Sequence, residues 1–237
     1  MIRGRRIARA PLPVATAPTV LATGLIADNE GDGVNSRTMT LTGVSSAGVL
    51  LLSWAALRTA IFAGPPTANN GNTYTQEVSQ DYGPTFTAYS LRGYAEESSS
   101  GGSDHTITVA KSGGDTEELT MLGMALSGGA VVSSAVVNRV ANGAGATHTS
   151  GTVTTTGPAR LVAVGSGTGD VNATAPTQTW PGDWTTHQSV ARGSAEAPNG
   201  HVPAYLMSKA VGAGDHSVQV QVTINEGLVI SLYAVQP

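Results

Sequence analysis

From Arg37 onward, apolar positions recur at every second residue in short runs, and each run ends at a cluster of Gly, Pro, Asn or Ser. A period of two places one set of side chains on one face of an extended chain, so these runs predict strands of an antiparallel β-structure. In 38–43 (TMTLTG), Met39 and Leu41 alternate with Thr38, Thr40 and Thr42. Residues 72–78 (NTYTQEV), 85–95 (TFTAYSLRGYA), 151–156 (GTVTTT), 159–165 (ARLVAVG) and 227–235 (GLVISLYAV) are further strand candidates. The stretches 64–71, 97–104, 111–115 and 141–151 have the composition of loops.

Two segments lack the alternation. In 45–62, Leu50, Trp54, Leu57 and Ile61 fall at helical spacing, yet the same run suits a strand buried on both faces. Segment 116–128 carries acids near its start, as a helix would, but Gly123 and the flanking glycines favour a strand. Both are read as β. The stretch from Gly165 to Pro203, which contains QTWPGDWTTH (178–187), is read as a long excursion at one end of the fold.

Two distant decapeptides resemble each other, SDHTITVAKS (103–112) and GDHSVQVQVT (214–223). Each sets Asp then His after a Gly or Ser turn and continues into β-branched alternation. Neighbouring side chains of a strand point to opposite faces. His105 therefore shares a face with Ile107 and Val109, and His216 with Val218, Val220, Val222 and Ile224, while Asp104 and Asp215 face away. The pairs read as matching strand starts rather than Asp–His dyads.

Composition supports β-structure. Hydrophobic residues make up 40% of the 237 and charged residues only 12%, so Ser, Thr, Asn, Gln and Gly must supply much of the polar surface, while 30 Gly and 12 Pro serve turns. The chain has no cysteine, which excludes disulfides and thiolate metal sites. The longest apolar run, 47–57, is shorter than the roughly 20 residues of a membrane helix, and the proline-interrupted N-terminus does not read as a secretory signal. Arg3, Arg5, Arg6 and Arg9 precede the first acid, Asp28, so a basic arm of formal charge +4 stands before a body of −8. The expected division is an extended basic arm over 1–20 and a single β-sandwich over 21–237. Such an arm suits an acidic protein surface, with nucleic acid the weaker candidate.

Candidate chemistry is sparse. The five His residues (105, 148, 187, 201 and 216) lie in neither a G-x-S-x-G elbow nor an H-E-x-x-H helix. No catalytic residue and no cofactor are expected. Residues 28–33 (DNEGDG) place Asp28, Glu30 and Asp32 as in the first half of a calcium loop, but its twelfth position would be Met39, which cannot ligate, so a solvated acidic turn is the better reading. The glycines of 165–170 (GSGTGD) lack a following lysine and a βαβ setting. Trp180, Trp184 and Tyr82 are the candidates for a sugar-stacking platform, set against the reading that they seal the core.

The order of these runs resembles the jelly-roll modules of tailed-bacteriophage virion proteins, such as capsid decoration, head-fibre and tail-appendage proteins. The likeness spans about 37–237. It rests on SAGVLLLSWAAL, a Pro- and Asn-rich loop with GNTYTQEV, FTAYSLRGYAEE leading to HTITVAKS, THTSGTVTTTGPARLVAVGSG, and the closing VPAYLMSKAVGAGDHSVQVQV and GLVISLYAV. The resemblance implies an all-β antiparallel sandwich of jelly-roll type and a non-enzymatic accessory virion protein on the outer particle surface. It implies a head decoration protein docking on the major capsid or other virion proteins through its arm, in a homo-oligomer for which a trimer is one option. The alternative it implies is a receptor- or carbohydrate-binding module of a fibre or tail appendage.

Overall fold

The computed structural model describes residues 15–27, 36–44, 48–56, 61–62, 64–82, 89–96, 104–112, 119–139, 145–168, 177–190, 204–223 and 227–237. Among the described residues every element is a β-strand and no helix occurs. The first half holds β1 (Val20–Ala27), β2 (Ser36–Thr42), β3 (Leu50–Ala56), β4 (Ile61–Phe62), β5 (Thr67–Ala68), β6 (Thr75–Tyr82), β7 (Tyr89–Glu96), β8 (Asp104–Ser112) and β9 (Leu119–Leu126). The second holds β10 (Ala130–Arg139), β11 (Thr147–Thr149), β12 (Val153–Thr155), β13 (Ala159–Thr168), β14 (Gln178–Thr179), β15 (Thr185–Val190), β16 (Ala204–Val211), β17 (Gly214–His216), β18 (Gln219–Val222) and β19 (Gly227–Gln236).

The two halves repeat one plan. Each builds a five-stranded antiparallel sheet, β1-β9-β3-β7-β6 in the first and β10-β19-β13-β16-β15 in the second. Strand for strand, these orders correspond. The outer layers correspond as well: β2 and β5 flank β8, while β11 and β14 flank β18 and β12 pairs with β17. In the second half the two long outer strands are each broken in two, and Ser150 bridges the break by exchanging hydrogen bonds with the backbone of Val218.

Layering explains the sequence pattern. The large sheets pack on each other through a central core that includes Leu51, Leu91, Leu122 and Met124 from one, and Val162, Leu206, Val229 and Tyr233 from the other. Each large sheet also packs its opposite face on its own outer layer, through Met39, Leu41, Leu52 and Ile107 in the first half and through Leu161, Trp184, Val220 and Ile230 in the second. A strand covered on both sides has no solvent face, which is why Leu50 to Ser53, Met121 to Leu126 and Leu161 to Ser166 are buried without interruption. The segments 45–62 and 116–128 thus contain the strands expected of them, β3 and β9. Outer strands keep one wet face, so β2 and β18 alternate buried and exposed residues.

Small residues let the layers approach. Gly24 and Gly123 are cross-strand partners, and Met39 lies over both, its Sδ and Cε within 2.6 Å and 2.3 Å of where Cβ atoms would sit. Gly93 lies under the Tyr233 hydroxyl, only 1.8 Å from the place of a Cβ. That hydroxyl spans the central core to a 2.9 Å hydrogen bond with Ser53 Oγ. Burial pushes the Tyr233 phenol up to about 12.

All four edge strands of the large sheets carry a bulge, at Leu21 in β1, Glu77 in β6, Val132 in β10 and His187 in β15. These positions match pairwise between the halves. Bulges twist an edge away from further strand pairing. Beside them, Gln188 Nε2 donates to Thr23 Oγ1 at 3.1 Å and Ser134 Oγ donates to the Glu77 carbonyl at 3.2 Å, joining the sheets at opposite edges.

Departures from the sequence reading concern extents, and β5 and β11 fall within the loops expected at 64–71 and 141–151. The stretch 165–203 includes the end of β13 and all of β14 and β15, and β8 runs into the expected loop at 111–115. β1 and β10 lie where no strand was expected. Their exposed and half-buried mixture follows from edge position and bulging, which blur the period of two.

Candidate functional site

The chain enters, crosses between halves and ends at one pole of the stack. Thr19 and Ser127 exchange hydrogen bonds, with Thr19 N donating to Ser127 Oγ and Ser127 N to the Thr19 carbonyl, both at 2.9 Å. Arg160 Nε, on β13, donates to the Pro18 carbonyl at 2.8 Å. Pro18 is buried and packs on Gly129, whose φ of +104° favours glycine and whose Cβ would strike the Gln236 carbonyl. Residues 15–19, 127–129 and Pro237 line an open groove of about 700 Å³. Whatever precedes Ala15 therefore starts from a fixed base. Arg3, Arg5, Arg6 and Arg9 themselves lie outside the described residues.

The matched Asp–His pairs occupy equivalent strand starts. Asp104 faces Thr42 and His105 faces Leu41, as Asp215 faces Thr154 and His216 faces Val153. Asp104 and Asp215 are exposed, His105 is buried and His216 half-buried. Each Asp and its neighbouring His diverge, as strand geometry requires. Thr154 Oγ1 donates to Asp215 Oδ1 at 2.7 Å, and His216 Nε2 lies 3.0 Å from Thr155 Oγ1 and 3.2 Å from the Gly212 carbonyl. His216 Nε2 must then carry the proton, since the Thr155 hydroxyl donates to the same carbonyl at 2.7 Å.

His105 pins the β5–β6 turn. The side-chain amides of Asn70 and Asn72 stand 3.3 Å from Nε2 and Nδ1. Both contacts are made by amide nitrogens, and a neutral imidazole offers one acceptor nitrogen, to which the amide facing it donates. Asn69 secures the same turn on the Asp104 carbonyl and the Thr106 amide. Burial pushes the His105 imidazole down, so the neutral form belongs to the fold. Its stabilising contribution is complete above the ordinary value of about 6.5 and is lost as pH falls through the lower folded-state value. His105→Gln is expected to lower the melting temperature at neutral pH and to flatten its fall as the pH drops below about 6.5. Identical slopes for variant and wild type would contradict this role.

The tryptophans turn inward. Trp184, closing a turn through its amide to the Pro181 carbonyl at 3.0 Å, is 8% exposed and belongs to the outer core of the second half. Trp180 packs beside it at 5.9 Å between ring centroids, tilted by 53°, and covers Gly165 together with Gln178. Lys209 pairs with Asp183 across the turn, and its ammonium holds that exposed carboxyl below the usual range. Tyr82 ends β6 on the other large sheet; its side chain lies outside the described residues. Trp180 and Trp184 are thus brought together as packing partners, in a different large-sheet layer from the strand that carries Tyr82.

No family model, curated protein or solved structure matches the chain.

Asp28, Glu30 and Asp32 lie outside the described residues, while Met39, their would-be twelfth position, is fully engaged in the core over Gly24 and Gly123. Among the described residues no three His, Asp or Glu gather as a cation site. His187 shares a 2.8 Å hydrogen bond with the buried Ser208, and burial together with the Arg160 charge pushes its imidazole down. This group, with Arg160 and its Pro18 contact, escaped the sequence reading because bulging and sheet order create it. No local spacing announces it.

Proposed function

We propose that this chain is a non-enzymatic accessory structural protein of a tailed-bacteriophage virion, a head decoration protein that docks on the shell through its basic N-terminal arm. The observation that carries the reading is the fixed base at Pro18 and Thr19, which Arg3, Arg5, Arg6 and Arg9 precede in the sequence. The strand order of each half, with first and last strands adjacent and the third beside the last, supports reading the chain as a tandem pair of jelly-roll-like modules. Support also comes from the layers. Large sheets buried on both faces and bulged edges make a rigid body that resists edge pairing, which suits a part exposed on a particle surface. The partner is an acidic surface of the major capsid or another virion protein, and the place of action is the outer surface of the particle.

Removing residues 2–14 is expected to weaken binding to undecorated heads by more than about tenfold at physiological salt while leaving the melting temperature unchanged, since those residues precede the anchored base. Arg3, Arg5, Arg6 and Arg9 changed together to Glu should do the same. Wild-type binding should weaken as salt rises, because the attraction is between exposed charges. Undiminished, salt-independent binding of the truncated chain would refute the arm's role.

A further inference from the structure

We propose that Asn70 is a self-modification site: the Asn70–Gly71 step deamidates spontaneously, at a pace held back by the buried His105, and the product sets a carboxylate on that ring in place of an amide. Asn-Gly steps occur in the chain at 70–71, 142–143 and 199–200. The last two lie outside the described residues. Glycine leaves the backbone nitrogen that follows the asparagine unhindered, which makes this dipeptide prone to close on itself. At 70–71 solvent has access, because Gly71 is exposed, with a φ of +71° and open space beside its α-carbon.

The chemistry needs only water. The Gly71 nitrogen gives up its proton to solvent and attacks Asn70 Cγ, the side-chain nitrogen takes up a proton and leaves as ammonia, and a five-membered imide closes. Water then opens the imide at either carbonyl, leaving aspartate or isoaspartate at position 70. One water enters and one ammonia departs, with no change of oxidation state.

Two contacts stand against the attack. The nucleophile is tied, since Gly71 N donates to the Ala68 carbonyl at 3.2 Å. The electrophile is held away, since Asn70 Nδ2 lies 3.3 Å from Nε2 of the buried His105 ring. Asn69 and Asn72 fasten the same turn to β8, through the Asp104 carbonyl, the Thr106 amide and His105 Nδ1. Reaction therefore waits on local opening of the turn, and its rate falls with the population of the open form.

Conversion changes what the ring faces. Leu41 on β2 and Ala68 on β5, beside this end of β8, are uncharged, Asp104 faces away, and burial keeps the imidazole neutral. A carboxylate at hydrogen-bond distance favours the imidazolium and so moves the ring upward. That rise subtracts from the loss of stability on acidification, and past the ordinary value of about 6.5 it reverses the sign. The turn is thus a one-way chemical timer in the outer layer of the first half, an inference independent of the virion reading.

Peptide mapping by mass spectrometry of the full chain, incubated at neutral pH, tests the site. Position 70 is expected to gain one dalton about tenfold to a hundredfold more slowly than in the free peptide 66–75. His105→Leu, which keeps an apolar side chain and removes both ring nitrogens, should speed conversion at position 70 several-fold and leave positions 142 and 199 unchanged. Conversion of the folded wild type at the peptide's rate, no gain at position 70 once the peptide has fully reacted, a variant no faster than the wild type, or acceleration shared by all three positions would each overturn the proposal. A second measurement leaves the ring in place: in Asn70→Asp, nuclear magnetic resonance should show His105 titrating higher than in the wild type. A titration at or below the wild-type value would contradict the pairing.

Discussion

Gly93→Ala is expected to destabilise the fold by about 3 kcal/mol, combining an overpacking cost of about 1–3 kcal/mol with loss of a buried hydrogen bond worth about 1 kcal/mol. The added methyl would sit 1.8 Å from the Tyr233 oxygen and 2.8 Å from its Cζ. Tyr233 cannot yield easily, because it is buried at the centre of the stack and bonded to Ser53. Tyr233→Phe should cost only about 1 kcal/mol, as one hydroxyl and its hydrogen bond are lost. Combined with Gly93→Ala it should cost less than the sum, since the phenyl ring leaves room for the methyl. Denaturant unfolding of the four proteins reads the cycle. Strict additivity would mean that Gly93 and Tyr233 do not meet.

A larger effect is expected from division of the chain. Fragments 1–128 and 129–237, expressed apart, should each fail to reach a cooperatively folded state, although each contains a complete five-stranded sheet and its outer layer. Separation bares the inner faces: Leu51, Leu91, Leu122 and Met124 on one, Val162, Leu206, Val229 and Tyr233 on the other. At about 1.5–3 kcal/mol for each large apolar side chain, four such residues per sheet match the whole stability of about 5–15 kcal/mol of an ordinary domain. Mixing the fragments during refolding should restore a one-to-one complex with the near-ultraviolet dichroism of the intact chain. Two independently melting fragments would show that the shared core is dispensable.

How far the sequence foretells this fold depends on the layer. Outer strands are readable because they keep one wet face: in β2, Met39 and Leu41 point inward and the threonines outward, and the expected alternation holds. The central strands are harder, since β3 and β9 are buried on both faces and periodicity cannot separate such a run from a buried helix. Only Gly123 hints at the answer, and its reason, the side chain of Met39 lying across it, is a contact between layers. The duplication shows in one place, the twin decapeptides at β8 and at β17 with β18. Elsewhere, the halves keep strand order while changing side chains and breaking strands. The pole is the least readable part. Its parts, Pro18, Ser127, Arg160 and Pro237, are far apart in sequence and meet only because first and last strands of each half are neighbours.

Face-to-face packing of the two large sheets is tested most directly by nuclear Overhauser contacts between the Gly93 α-protons and the Tyr233 ring in the isotopically labelled chain. Those two residues are 140 positions apart and belong to opposite halves. Strong cross-peaks, with at least one α-proton displaced by the ring current, are the expected result. Their absence, with Tyr233 instead showing contacts only within its own half, would contradict the packing and the shared core with it.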